Sequence, residues 1–429
     1  MIRLRLLPWL MLAACATSPR AAAPAKAAQP PVARGQPPVV AAPAPAPAPA
    51  PVQTKPKQGG APAPKVAPKD LRYTYGAKFE PPEGRIFDGL GQYAKDNQGY
   101  LAMLGNDPTL QPATHLIYVA IGDWRSRAWE GRFATFRKQV LTDLKEGRTP
   151  HIDMALHALD DQGVRHGIDP LIAAGSNADL DARLHDVGRF LAGLGRPIFV
   201  RIGGEFSGEW SQYQPYSYPK AFRRIHEMFL QDGANNVAFL WCYEPSSPDD
   251  FDVVDAQGAR WFPGDDVVDW FSIDVFPEGD FDKDAARGDK KATFDHTERF
   301  LAMARAHHKP VHVSETSAND VGITADKGDG KRDWDQWFAP FFKWLAANPG
   351  IKGITYISCD WTKDGQYGPK GWLDARLDIN PVISENWLKE IRKPVWIHAD
   401  EMYLCKDWAQ YYDAGKDYSN VEMPAPPKR

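Results

Sequence analysis

Cysteine is scarce in this 429-residue chain: four residues, with no CxxC pair, which removes the usual spacing of a structural zinc site. Cys242, Cys359 and Cys405 lie beyond the N-terminal region, and three thiols allow at most one intramolecular disulfide. No GxGxxG follows an early strand, so a dinucleotide-binding open sheet has no support. No stretch is long and apolar enough to span a bilayer. No period of solenoid type repeats along the chain. The aspartate runs at Asp249-Asp250, Asp265-Asp266 and Asp326–Asp329 lack the spacing of an EF-hand loop and read as solvated loops. Neither a metal nor a cofactor is expected. Acidic side chains are absent from the first 69 residues, which hold nine of the 51 Lys and Arg. The remaining 360 residues therefore carry 42 bases against 55 acids, a net charge of −13. Such a body lacks the basic face that nucleic acid requires.

What is present first is an export signal. Arg3 and Arg5 form a charged start and Leu6 to Leu12 a short apolar stretch, in signal-peptide range. Leu12-Ala13-Ala14-Cys15 resembles the bacterial lipobox, whose Cys is lipidated and becomes the mature N-terminus. Ala16, rather than Asp, follows Cys15, and the resemblance then implies outer-membrane rather than inner-membrane sorting. The expected location is the cell envelope, through the lipid alone, or the medium. Residues 16–69 are Pro/Ala-rich, cannot bury a core and form an extended, disordered tether.

From residue 70, short β-branched or apolar runs alternate with amphipathic stretches. Candidate strands are 85–90, 116–121, 152–156, 197–202, 237–241, 268–275, 311–314 and 351–357. Helical spacing recurs at 133–145, 180–194, 218–230, 293–307 and 334–347. Eight such units over residues 70–395 predict an α/β fold, a (β/α)8 TIM barrel. Residues 396–429 form a C-terminal extension packed on the barrel. A monomer is expected.

Two carboxyl groups cleave a glycosidic bond: one protonates the leaving oxygen, the other attacks or activates water. In a parallel barrel they must stand at the C-terminal ends of strands. Glu205 ends the fourth candidate strand and Glu315 the seventh. By strand alternation Arg201, Gly203 and Glu205 share one face, as do Val311, Val313 and Glu315. A charge such as Arg201 inside a barrel is costly unless paired, so it is expected to orient and ionise a catalytic carboxylate. Glu209 is the competitor for Glu205 but lies in the following loop.

The run Arg201-x-Gly203-Gly204-Glu205-Phe206-x-Gly208-x-Trp210-x-x-Tyr213, with Tyr218-x-x-Ala221-Phe222-Arg223 downstream, resembles glycoside hydrolase family 26, a clan A family of β-mannanases and related endo-β-glycanases. Trp261-Phe-Pro-Gly-Asp265 before Val268-Val-Asp-Trp270, and Ser314-Glu315, match further. Carried over by position, Glu205 resembles the family's acid/base and Glu315 its nucleophile. Two departures stand out. The residue before the acid is often His in mannanases and is Gly204 here, which removes a potential sugar contact. Where clan members often place a Tyr against the nucleophile, after strand six, this chain reads Ser272-Ile-Asp274-Val-Phe276, leaving Asp274 or another residue for that role. Trp210, Tyr213, Trp241, Tyr243 and Trp361 are candidate sugar contacts, with Trp361 the platform after strand eight. His157 ends strand three, as a hydroxyl contact or a structural histidine. The resemblance implies a retaining β-glycoside hydrolase acting by double displacement on a β-linked polysaccharide, mannan-type or a bacterial exopolysaccharide. A non-catalytic carbohydrate-binding barrel and a transglycosylase remodelling the cell's own polysaccharide are the alternatives.

Overall fold

The computed structural model describes residues 67–418, apart from 93, 106, 124–127, 289, 326, 414 and 417. Cys15, the export signal, nearly all of the tether, Asp326 and the C-terminal run 419–429 lie outside the described residues.

Eight strands form the centre: β1 (Gly89–Leu90), β2 (Thr114–Ala120), β3 (Thr149–Ala155), β4 (Ile198–Glu205), β5 (Val237–Tyr243), β6 (Trp270–Val275), β7 (Val311–Thr316) and β8 (Ile351–Tyr356). Each pairs in parallel with the next. Tyr356 pairs back with Leu90 and closes the ring. Around it run α1 (Ala94–Leu104), α2 (Trp129–Lys145), α3 (Ala178–Ala192), α4 (Ser217–Gln231), α5 (Lys290–Ala306), α6 (Ala339–Ala347) and α7 (Pro381–Ile391). The expected (β/α)8 barrel is borne out. The first predicted strand is broken at Asp88, whose buried carboxylate accepts from the Ala113 amide at 3.2 Å and bonds His398 Nδ1. Its first half, Ile86–Phe87, pairs with Trp396–Ile397 instead of joining β1.

Side chains alternate across each strand, which decides what the barrel holds. In β5, Val237, Phe239, Trp241 and Tyr243 pack in the apolar layer between strands and helices. Ala238 and Leu240 belong to a separate interior cluster with Phe87, Phe199 and Trp270. The same cluster takes in Phe79, Ile397, Met402, Leu404 and Trp408, so the extension after residue 396 forms the barrel floor. Backbone bonds tie the two flanking stretches together there: Phe79 N donates to Lys406 O, and Lys406 N to Glu80 O. The three cysteines are buried and free, with no disulfide among the described residues.

Candidate active site

The site grows from a row of side chains across three adjacent strands. Tyr118 of β2 stands in register with Asp153 of β3, and Asp153 with Arg201 of β4. Arg201 is 2% exposed, and its guanidinium meets three carboxylates. Nε donates to Asp153 at 2.9 Å, Nη1 to Asp274 at 2.6 Å and Nη2 to Glu315 Oε1 at 2.6 Å. A buried guanidinium without partners would be untenable, and here each edge of the fork is engaged. Three acids around one base still leave an excess of negative charge. Burial pushes Asp153 up to about 6 and raises Asp274 well above the usual carboxylate range, so both aspartates are driven to hold a proton. Tyr118 Oη donates to the same Oε1 of Glu315. Its ring, 41% exposed, faces the cleft. Glu315 Oε2 receives no hydrogen bond from the described residues, so one oxygen is fixed and the other is open.

The two glutamates arrive by different local devices. Between Arg201 and Glu205, β4 carries two more residues than its neighbour: Arg201 pairs with Leu240, and Glu205 with Cys242. Gly203 and Gly204 take up this excess with φ of +83° and +59°, a region open mainly to glycine. A Cβ on Gly203 would lie 2.7 Å from the Tyr218 ring, and one on Gly204 3.0 Å from Asp153. Gly204 is therefore the residue this backbone demands beside the Arg201–Asp153 pair. Because the insertion is even, Arg201 and Glu205 still point the same way. In β7 the expectation fails. Val311 and Val313 pack outward against the helices, not with Glu315. A one-residue shift opposite Ile273 and Asp274 reverses the alternation and turns Glu315 inward.

Glu205 faces the cleft at the end of β4, and the Trp210 indole N–H donates to its Oε2. Burial first, then the charges of Glu315 and Glu244, push its carboxyl up to about 8. Glu244, which follows β5, is a third glutamate at the strand ends of the cleft, beside Glu205 and Glu315, and is not anticipated from the sequence. Its Oε2 takes all its bonds, from Ser246 N at 3.0 Å, Ser246 Oγ at 2.6 Å and Ser247 Oγ at 3.3 Å. Burial and the charge of Asp280 push it up to about 7. Its effect on Glu205 is testable. Replacing Glu244 by Gln removes a negative neighbour, so Glu205 should lose its proton at lower pH. The alkaline limb of kcat/KM should move down by about half a unit or more. An unmoved limb in the variant would contradict this coupling.

The other predicted residues divide. Tyr213, His157 and Trp361 line the cleft. Tyr213 Oη accepts from the Leu156 amide at 2.9 Å, and its ring stacks on Tyr218. His157 is held neutral, pushed down to about 3 by burial and by the Arg165 charge. Trp361 donates to Ser317 Oγ at 2.8 Å and stands nearly perpendicular to Trp372. Trp210 is 39% exposed, and Tyr367 and Trp372 join it as cleft aromatics the sequence did not single out. Trp241 and Tyr243 require correction. Both are fully buried outside the strand ring, Trp241 stacked on Phe206 and Tyr243 packed on Phe300, so neither reaches a ligand. The even-odd parity of β5 places Cys242 inward and sends its two neighbours outward. Asp274 is likewise corrected: it is fully buried beneath the cleft as a partner of Arg201, and Tyr118 makes the tyrosine contact to Glu315. Glu209 is exposed on its loop and does not line the cleft. The cleft belongs to a cavity of about 1530 Å³ that continues into a groove between α1 and α2. Among the described residues no cluster of His, Cys, Asp and Glu is arranged to hold a metal ion.

No family model matches the chain. A β-1,3-xylanase of a Vibrio species is 29% identical over 250 residues, covering 53% of this chain and 50% of that protein. A β-1,3-xylanase of an Alcaligenes species is 27% identical, covering 53% and 49%. The chain thus spans about half the length of these relatives. Among solved structures, the modular endo-β-1,4-mannanase of Cellulomonas fimi superposes with a TM-score of 0.51 at 18% identity, covering 74% of this chain and 73% of that one. The catalytic domain of a family 26 endo-β-1,4-mannanase from a Bacillus species gives 0.51 at 14% identity, covering 75% and 90%. The structural likenesses establish the barrel fold, and the solved neighbours include family 26 mannanases, the family that the Arg201–Arg223 motif resembles.

Proposed function

We propose that the chain is a retaining β-glycoside hydrolase acting on a β-linked polysaccharide by double displacement. The observation that carries this reading is the contrast between its two strand-end glutamates. Glu205 is a half-buried acid that keeps its proton to about pH 8, whereas Glu315 is fixed through one oxygen by Arg201 and Tyr118. A proton donor and an oriented carboxylate are the two roles that glycoside cleavage requires.

In the first step Glu315 Oε2 attacks the anomeric carbon while Glu205 gives its proton to the departing glycosidic oxygen. The covalent ester removes the negative charge of Glu315, which lowers the proton affinity of Glu205. Glu205 can then take a proton from the incoming water, whose oxygen displaces Glu315. Trp210 binds one oxygen of Glu205 in both steps and leaves the other for proton transfer. The exposed indole of Trp210, with Tyr367 and Trp372, offers flat apolar faces for pyranose rings.

The names of the relatives make β-1,3-xylan and β-1,4-mannan the first polymers to try. The full chain should hydrolyse at least one β-glycan from a set that adds mixed-linkage glucan and bacterial exopolysaccharides. Proton NMR of the first product should show the β anomer. An α anomer as first product would exclude double displacement, and no hydrolysis across the set would favour the carbohydrate-binding alternative.

A further inference from the structure

After β3 the chain forms a hairpin, His157–Leu159 paired with Arg165–Gly167, which stands beside the cleft. Between this hairpin and the loop after Glu205 lies a recess of about 520 Å³. Leu159, Val164, Arg165, Trp210, Gln212 and Gln366 line it together with Gly163. Arg165, Trp210 and Gln366 also line the catalytic cleft, so the two spaces share a wall.

Arg165 is the only ionisable side chain on that wall. Its Nη1 donates to the Trp210 carbonyl at 2.7 Å, and its other N–H groups have no partner among the described residues. No described carboxylate forms an ion pair with it. Of the two acids in the hairpin turn, Asp160 is committed elsewhere, to the Val164 amide at 2.7 Å and to His166 at 3.1 Å. The charge of Arg165 is nevertheless felt inside the cleft, where it helps keep His157 neutral and opposes burial at Tyr213 and Tyr367. Lys370, which sits over the Tyr367 ring and also lines the cleft, adds a second cation. Arg165 and Lys370 thus place two cations along a cleft that also holds the carboxylates of Glu205, Glu244 and Glu315. The neutral neighbours of Arg165, the amides of Gln212 and Gln366 and the exposed Trp210 ring, suit sugar hydroxyls and a pyranose face. The guanidinium fork suits a carboxylate.

The geometry points to a subsite for a carboxylated sugar, a uronate residue of the polysaccharide, held by Arg165 beside Trp210. This rests on the glycoside hydrolase reading and adds the substrate class: an acidic rather than a neutral β-glycan.

The test is an array of β-linked oligosaccharides in neutral and uronate-bearing pairs, probed with the full chain carrying Glu205→Gln to prevent turnover. The uronate member of a pair should bind more tightly, by about tenfold, and the preference should shrink as ionic strength rises. Adding Arg165→Gln should collapse the acidic-to-neutral ratio, whereas Arg165→Lys should retain part of it. Both variants shorten the side chain that holds the Trp210 carbonyl, so the difference between Lys and Gln reports the charge and not the loop clamp. Equal binding of both members, or an unchanged ratio in Arg165→Gln, would overturn the subsite while leaving hydrolysis intact. Failure of the unmodified chain to cleave any glycan would overturn the underlying reading as well.

Discussion

Replacing Glu205 by Gln is expected to remove hydrolysis almost entirely and, at the same time, to raise the melting temperature. Loss of a general acid lowers the rate by about 10²–10⁴-fold. The gain in stability follows from the carboxyl's burial. Folding lifts it from the ordinary value of 4.5 to about 8. A raised folded value means that its contribution is intact below the unfolded value and is lost as pH climbs through the window from 4.5 to about 8. Above that window the fold carries a half-buried negative charge beside Glu315 and Glu244. Gln is neutral at every pH and keeps an oxygen for the Trp210 indole. At pH 7 the variant should be more stable by ~3 kcal/mol, and the advantage should be small at pH 5 and larger at pH 8. Thermal unfolding of both proteins at these pH values measures it. A variant no more stable than the parent at pH 8 would contradict the buried-acid account.

Arg201→Leu should act in the opposite direction, on stability and activity together. The substitution preserves bulk but leaves Asp153, Asp274 and Glu315 facing one another without a cation. Breaking a buried pair in this way costs about 3–5 kcal/mol, because charge remains without compensation. The deficit should depend on pH. Asp153 already holds its proton up to about 6, and without Arg201 both aspartates should hold theirs to higher pH. Protonation relieves the repulsion, so the stability lost to the substitution should be least in acid and grow as pH rises. Chemical unfolding at pH 5 and 8 distinguishes this from a simple packing defect, which would cost the same at both. The remaining activity should also be low, since Glu315 would be held by Tyr118 alone.

The legible part of this molecule was what local pattern encodes. Alternating apolar runs gave the barrel, and the strand-end motif around Glu205 carried enough specificity to name a family. Less accessible was anything that depends on which way a strand faces. Trp241 and Tyr243 sit in a run, Val237–Tyr243, that is apolar on both faces, and no alternation of polarity separates interior from exterior. The inward turn of Glu315 depends on a one-residue shift that leaves no mark in Val-His-Val-Ser-Glu. Asp153 did leave a mark, as a lone acid within the buried strand Thr149–Ala155, and that signal alone could have paired it with Arg201. Tyr118 and Glu244 had no local signal. They join the site only because the ring closes and brings β2 and the end of β5 to the same mouth.

The floor of the barrel has a consequence for how the chain is made. Phe79, Phe87, Phe199 and Trp270 are covered from below by Met402, Leu404 and Trp408. A ribosome delivers those covering residues only after all eight strands have emerged. Until then the base of the ring stands open and apolar, so a nearly complete nascent barrel gains little from closing. Final closure must therefore wait for the C-terminal segment, and a chain stalled before residue 396 should bind chaperones or aggregate instead of settling into a smaller barrel.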